Sequence, residues 1–206
     1  MIHQRVVGSI VVVAFLLSAG CAVDRITQAP QSIYINPQVG GTETAGLKGA
    51  TDAIATQFGL IGGLVAASAD LASDANPKVK RFAAATKDHR EILVKCLTDA
   101  LKERGVRLVN RPQDAELQVN LGSSLVFSST PVQRDLMPSA TIYIAALDSK
   151  QQTVLKKTEN VAPPAGTTPL TKTQLLDNPE LSRPEIERLY ENAANILSRD
   201  LTGAKV

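Results

Sequence analysis

The segment ELQVNLGSSLVFSS, residues 116–129, constrains the fold more than any other part of this chain. In its first half, the apolar residues Leu117, Val119 and Leu121 alternate with charged or amide side chains. Successive side chains of a β-strand point to opposite faces, so the pattern predicts a strand with one buried and one solvated face. Such a strand needs neighbouring strands and a second layer over its apolar face, which predicts a sheet covered on one side.

Further strands are predicted on both sides of this segment. SIYINP, residues 32–37, contains three apolar residues in a row and is stopped by Asn-Pro, and VRLVN, residues 106–110, is a second short strand. After the alternating strand, apolar residues 142–147, a turn at 148–150 and a return through 153–161 predict a hairpin. Gly122 marks a bulge or bend within the alternating strand.

Two amphipathic helices are predicted. The first follows Asn76-Pro77 and stops at Gly105. Asp88 and Glu91 form a capping box if the helix starts there, and Ala83–Ala85 would allow it to extend upstream. Its apolar positions are Ile92, Leu93, Cys96, Leu97, Ala100 and Leu101, at three- and four-residue spacing. The second begins at Ser182, with Glu185 completing the capping box, and its stripe is Ile186, Leu189, Tyr190, Ala193, Ile196, Leu197 and Leu201. Residues 162–181, with four prolines, are predicted to form a loop.

The order of these elements predicts the fold class. Helices and strands are grouped rather than strictly alternating, which favours an α+β fold. We expect a mainly antiparallel sheet of about four or five strands with helices packed on one face. Residues 32–206 are predicted to form a single domain, because the length fits one domain with an appendage.

A Gly/Ala-rich helical segment at residues 40–71 interrupts the domain. From Phe58 to Ala67 it is apolar on every side, so it must be buried against something. Two interpretations remain open: packing within the domain, or contact with a partner or a membrane surface. In the second, the contact residues would be Phe58, Leu60, Ile61 and Leu64.

The first 20 residues have the pattern of a secretory signal peptide. Arg5 provides the positive charge, and an apolar stretch of about a dozen residues from Val6 to Leu17 is shorter than a membrane-spanning helix. It ends in Leu17-Ser18-Ala19-Gly20-Cys21, which resembles the lipobox of bacterial lipoproteins.

The lipobox resemblance implies that Cys21 is the lipidation site. Its sulfur would receive a diacylglycerol, the chain would be cut before it, and the new amino group would gain an acyl chain such as palmitate. Residues 1–20 would then be the signal peptide and residues 21–31 a lipidated tether. By resemblance to the sorting rule of enteric bacteria, Ala22 favours a periplasm-facing position at the outer membrane over the inner membrane.

Composition excludes most catalytic and binding chemistry. The near-balanced 22 basic and 20 acidic residues argue against nucleic acid as a partner. There is no CxxC motif, and His3 and His89 are the two histidines, so no metal, cofactor or catalytic site is predicted, and the protein is not expected to be an enzyme. His89 is interpreted as a solvated surface residue, and Cys96, inside its helical stripe, as a small buried hydrophobe rather than a reactive thiol.

Residues 91–126 resemble small lipoproteins that serve as auxiliary parts of envelope transport or secretion systems. The shared pattern is a helix ending before a glycine, a short strand, a loop with Asp-Ala, and an alternating strand. The resemblance implies a non-enzymatic subunit or adaptor of an outer-membrane or periplasmic assembly. Its partners would be the membrane, through Cys21, and a protein of the envelope. The alternative hypothesis is a periplasmic carrier or binding module for a lipid or other apolar ligand.

Overall fold

A computed structural model describes residues 26, 28–36, 41, 45–48, 77–129 and 135–203. The elements in these ranges are β1 (Ser32–Asn36), β2 (Gly46–Lys48), α1 (Pro77–Thr86), α2 (His89–Glu103), β3 (Arg107–Leu108), β4 (Leu117–Ser128), β5 (Met137–Asp148), β6 (Thr153–Val161), α3 (Lys172–Asp177) and α4 (Ser182–Thr202). Short 3-10 turns precede β4 at Pro112–Asp114 and α4 at Pro179–Leu181.

The three long strands form an antiparallel meander. β4 pairs with β5 over its whole length, from Leu117 opposite Asp148 to Ser128 opposite Met137, and β5 pairs with β6. The alternating strand and the hairpin are thus confirmed. The expected bulge at Gly122 is wrong: Gly122 pairs regularly with Tyr143, and the irregularity lies in the hairpin, between Ala146 and Leu147.

The rest of the sheet is parallel, which corrects the prediction of four or five mainly antiparallel strands. β1 and β2 both run parallel to β4, and β3 runs parallel to β1, so the sheet has six strands of mixed direction. The reason is connectivity: helices α1 and α2 lie in sequence between β1 and its partners, and a crossover through helices returns the chain in the same direction. The α+β class itself is confirmed.

Helices α2 and α4 cover one face of the sheet. Alternate residues of β4 and β5 are buried beneath them, as the period-two pattern requires. At one end, Phe82 of α1 meets Phe127 of β4 edge to face, with ring centroids 5.9 Å apart. The largest fully buried side chains are Tyr190, Phe82, Phe127, Ile33, Leu93, Leu97, Leu101, Leu121, Leu125, Ile142, Leu155 and Leu175.

The predicted capping boxes of the two long helices are wrong. Asp88 is at the N-cap position of α2, but its carboxylate accepts a hydrogen bond from Arg183 Nη1 at 3.0 Å rather than from the helix backbone. Ser182 is already in helical conformation, because the 3-10 turn runs directly into α4, and its hydroxyl donates to the Pro179 carbonyl at 2.6 Å. Glu185 is buried and accepts from the Thr168 backbone N–H at 3.2 Å.

A helix lies within the region that was predicted to be a loop. Thr171 and Gln174 form a reciprocal capping box at the start of α3, with the Thr171 hydroxyl accepting from the Gln174 backbone N–H at 3.1 Å. The Thr-x-x-Gln spacing is the sequence signal for such a start, and the surrounding prolines obscured it. At the end of α2, Gly105 has a φ of +77°, which confirms its predicted role as the stop.

Candidate functional site

A cluster of three polar side chains lies between the helices and the sheet. It consists of Ser123 on β4, His89 at the start of α2 and Tyr190 in the middle of α4, each 0 % exposed. His89 Nδ1 lies 2.7 Å from the Tyr190 hydroxyl and 3.5 Å from the Ser123 hydroxyl, and the Tyr190 hydroxyl donates to Ser123 Oγ at 3.4 Å. The His89 and Tyr190 rings stack with centroids 6.0 Å apart. The cluster joins both long helices to the central strand.

The prediction that His89 is a solvated surface residue is wrong. Asp88, directly before it, pairs with Arg183 near the start of α4, and this contact holds the first turn of α2 against α4. A sequence signal was present, because His89 precedes Ile92 and Leu93 by three and four residues and so extends their apolar stripe by one turn.

The burial of this cluster defines what it can do chemically. Burial raises the pKa of the Tyr190 hydroxyl well above its ordinary value, so Tyr190 stays neutral and acts as a hydrogen-bonding group. A serine and a histidine in contact can form a nucleophile and its base, but a nucleophile must reach its substrate. These three groups are enclosed by the packed core, so we assign them to holding the fold together.

Tyr190→Phe is expected to lower the free energy of unfolding by about 1–3 kcal/mol, because the hydroxyl's two buried partners lose a hydrogen bond. Tyr143→Phe is the matched control, since Tyr143 lies half-buried on the opposite face, where water replaces lost partners; it should change stability by less than about 0.5 kcal/mol. Urea unfolding followed by circular dichroism measures both. Equal effects would show that the buried cluster does not hold the helices to the sheet.

Cys96 is half-buried in the apolar stripe of α2, against the core. Burial, with a smaller contribution from the carboxylate of Glu191, raises the pKa of its thiol to about 11. The thiolate is the reactive form of cysteine, so near neutral pH Cys96 is a poor nucleophile. These features support the prediction that it is a packing residue.

In a Cys21→Ser chain, where Cys96 is the remaining thiol, iodoacetamide should alkylate the folded protein slowly at pH 8. With a pKa of about 11, about one thiol in a thousand is ionised at that pH, against about a quarter for an ordinary cysteine. The native rate should therefore be lower than the urea-unfolded rate by about two orders of magnitude, and should rise about tenfold per pH unit up to about pH 10. Matching native and unfolded rates would contradict this placement.

On the face of the sheet away from the helices, the described side chains are partly exposed and mostly uncharged. A pocket of about 260 Å³ lies there, lined by Ser124, Val126, Ser139, Ala140, Thr141, Asn160, Val161 and Ala162. Two of its hydroxyls already donate within the sheet: the Thr141 hydroxyl to Asn160 Oδ1 at 2.9 Å, and the Ser139 hydroxyl to the Val126 carbonyl at 3.4 Å. The lining therefore has neither a charge nor a spare buried donor to select a ligand.

The residues predicted from the sequence to act as sites lie outside the described residues. These are Cys21 and the proposed contact residues Phe58, Leu60, Ile61 and Leu64. Described residues do, however, precede and follow the contact residues in the sequence, and others follow Cys21. Ile26, five residues after Cys21, packs partly buried against the core, and the Gln31 backbone N–H donates to Glu116 Oε2 at 2.8 Å where β1 begins.

The structure describes part of the segment predicted to be helical, residues 40–71, and differs from the prediction there, because Gly46–Lys48 form strand β2 at the opposite end of the sheet from the start of β1. Residues 49–71 lie outside the described residues. Lys48, the last described residue before the apolar part of this segment, pairs with Ser128 at the end of β4, whereas Ile33 pairs with Leu117 at the start of β4. These two ends of β4 are about 36 Å apart, because a strand rises about 3.3 Å per residue. The described chain resumes in α1, whose Phe82 contacts Phe127 near that same far end.

No helix within the described ranges is long and apolar enough to cross a membrane, and no group of metal-binding side chains occurs in them. No protein-family model matches the chain, and no curated protein matches it. Among solved structures, the chain is similar to a crystal structure of a protein from Xanthomonas campestris described as DUF330, with a TM-score of 0.41 and 16% identity. The likeness covers 55% of this chain and 62% of that chain, which is less than two thirds of its length.

Proposed function

We propose that this protein is a lipid-anchored, non-enzymatic adaptor of the bacterial envelope, held at the periplasmic face of the outer membrane. The observation that carries the proposal is the lipobox Leu17 to Cys21 at the end of a signal-peptide pattern. Diacylglycerol on Cys21 together with an amide-linked acyl chain gives firm anchoring, which one acyl chain alone does not. Ala22 after the cysteine supports the outer membrane.

The short tether fits a protein that works close to the bilayer. Ile26, which packs on the core, is five positions after Cys21. An extended chain spans at most about 3.3–3.6 Å per residue, so Ile26 lies within about 18 Å of the lipidated residue. The adaptor therefore presents its domain at the membrane surface rather than reaching far from it.

The partner contact is assigned to the apolar part of the Gly/Ala-rich segment, through Phe58, Leu60, Ile61 and Leu64. Its flanks lie at the end of the sheet that is far from the start of β1, so an envelope partner would approach that end. In favour of an adaptor over an apolar-ligand carrier is the filled space between helices and sheet, where Phe82, Phe127 and Tyr190 are fully buried.

A photo-crosslinking residue placed at Leu64 in the full-length protein tests the adaptor role in growing cells. We expect a discrete protein adduct of defined mass from Leu64. The same residue placed at Lys150, exposed in the β5–β6 turn at the other end of the sheet, should give none. Equal adducts from both positions, or none from Leu64, would contradict the proposed contact. Native mass spectrometry showing a bound lipid instead would favour the carrier.

A further inference from the structure

The outer edge of β6 has no strand partner among the described residues. β6 is the last strand in the strand order, and among the described strands it pairs with β5 alone. It has nine residues and no proline, and the following chain rejoins the sheet beyond its end, where Leu170 bridges to Leu136. An edge of this kind presents a row of backbone donors and acceptors that can pair with another strand.

Two copies of one strand can pair antiparallel around a twofold axis perpendicular to the sheet. Residues that lie directly opposite each other must then point to the same face. Because faces alternate along a strand, the axis must pass through a residue position and not between two residues. Few registers remain, and the charges of β6 disfavour three of them.

The register centred on Thr158 is complementary throughout. It places Thr158 opposite its own copy, and Lys157 opposite Glu159 of the second copy. The other opposite pairs are Lys156 with Asn160 and Leu155 with Val161. Threonine pairs, opposite charges and matched apolar residues are all favourable cross-strand neighbours, by about 0.2–1 kcal/mol each.

The neighbouring registers bring like charges together. An axis at Lys156 or Lys157 places a lysine opposite its own copy, and an axis at Glu159 places two carboxylates opposite each other. Like charges directly opposite each other destabilise strand pairing. Lysines on an edge strand discourage nonspecific strand pairing. Here they permit the register centred on Thr158 and disfavour the registers centred on Lys156 and Lys157.

We infer that β6 is a homodimer interface, in which two copies of this chain join antiparallel through their β6 edges around an axis at Thr158. The two sheets become continuous, and the helices of both copies lie on the same face. Affinity comes mainly from the added backbone hydrogen bonds and the register from the side chains.

The charged pair on the helix-covered face is already positioned for this contact. Lys157 Nζ lies 2.8 Å from Glu159 Oε2 and 2.9 Å from Asp200 Oδ2, so its side chain is held beside the strand. The Lys157 side chain is one-third exposed, at 33%, which leaves room for a second carboxylate. In the dimer each Lys157 lies between its own Glu159 and the one from the second copy. These ion pairs contribute more to the choice of register than to the affinity of one copy for the other.

Cysteine crosslinking in the full-length protein tests the interface. In a Cys96→Ser background, purified Thr158→Cys protein should form a disulfide-linked dimer under a mild oxidant, whatever compartment the protein occupies. Opposite Cα atoms in antiparallel strands are about 4.5–5.5 Å apart, within the range that a disulfide spans. Lys156→Cys is the matched control, since it is exposed on the same face but lies about 13 Å from its own copy in this register. The parent Cys96→Ser chain, which keeps Cys21, provides the baseline.

A second pair of variants tests the same register independently, should Thr158→Cys fail to fold. When Lys156→Cys and Asn160→Cys chains are produced together, each disulfide should join one chain of each kind. Dimer from Thr158→Cys above the baseline, or mixed dimer from the paired variants, supports the interface. It is overturned if Thr158→Cys and Lys156→Cys crosslink equally, or if a folded Thr158→Cys chain stays monomeric.

Discussion

Cys21→Ser should abolish lipid anchoring of this protein at the outer membrane. A serine hydroxyl cannot take the place of the thiolate as the nucleophile that receives the diacylglycerol, and lipobox cleavage follows that step. The variant should therefore keep its signal peptide, incorporate no labelled palmitate and lose firm anchoring. Labelling with radioactive palmitate, followed by separation of outer and inner membranes, measures all of these effects.

Cys96→Ser is the matched control for this experiment, because it removes the other cysteine of the chain. Cys96 packs in the stripe of α2, half-buried, so its replacement should leave lipid labelling and membrane position unchanged. If the Cys21→Ser protein were processed normally and stayed in the outer membrane, the lipid anchor would have to be abandoned. If palmitate were lost from Cys96→Ser instead, the site would be misassigned.

Gly41→Ala should cause a large loss of stability. Gly41 forms a parallel bridge with Ser123 and has a φ of +90°. A Cβ added there would lie 1.9 Å from the Ser123 carbonyl oxygen, a clash with backbone that no rotamer relieves. Overpacking and backbone strain each cost about 1–3 kcal/mol, so we expect a loss of about 3 kcal/mol or more.

Gly105→Ala separates the clash from the backbone conformation. Gly105 also has a positive φ, +77°, but a Cβ there would meet nothing within 4 Å. Its substitution should cost the conformational penalty alone, about 1–2 kcal/mol. Urea unfolding of both variants gives the comparison. Equal losses would mean that Gly41 does not lie against Ser123. The bridge from Gly41 to β4, between the pairings of β1 and β2, would then be wrong.

The local sequence pattern predicts well those strands and helices whose pairing partners are close in sequence. The alternation at Leu117, Val119 and Leu121 gave β4, and the turn after residue 147 gave the β5–β6 hairpin. In both cases a period-two pattern and a short connection determine the pairing partner. Gly105 stopped α2 because a left-handed residue is required there.

Pairings and contacts that are distant in sequence were missed for a physical reason. The parallel pairing of Ile33 with Leu117 spans the helices between them, and no local pattern encodes it. His89 is buried because Tyr190, about a hundred residues later, provides a partner for its ring nitrogen. The N-caps failed in the same way, since Arg183 and Thr168 offer Asp88 and Glu185 alternatives to the helix backbone.

The candidate sites divide similarly. The proposed anchor at Cys21 rests on five consecutive residues, because peptidases and transferases read such a motif as an extended peptide, and it stays a prediction. The edge of β6 could not be identified from the sequence alone. The charges on either side of Thr158 complement each other in an antiparallel pair of β6 strands, and this has meaning only once β6 is known to be the outermost strand.

Mass spectrometry of the N-terminal peptide from membrane-extracted protein tests the lipid anchor, and with it the proposed role, most directly. The account predicts a chain that begins at Cys21, with a diacylglyceryl group on its sulfur and an acyl chain on its amino group. A chain that retains residues 1–20, or one in which Cys21 carries a free thiol, would contradict it.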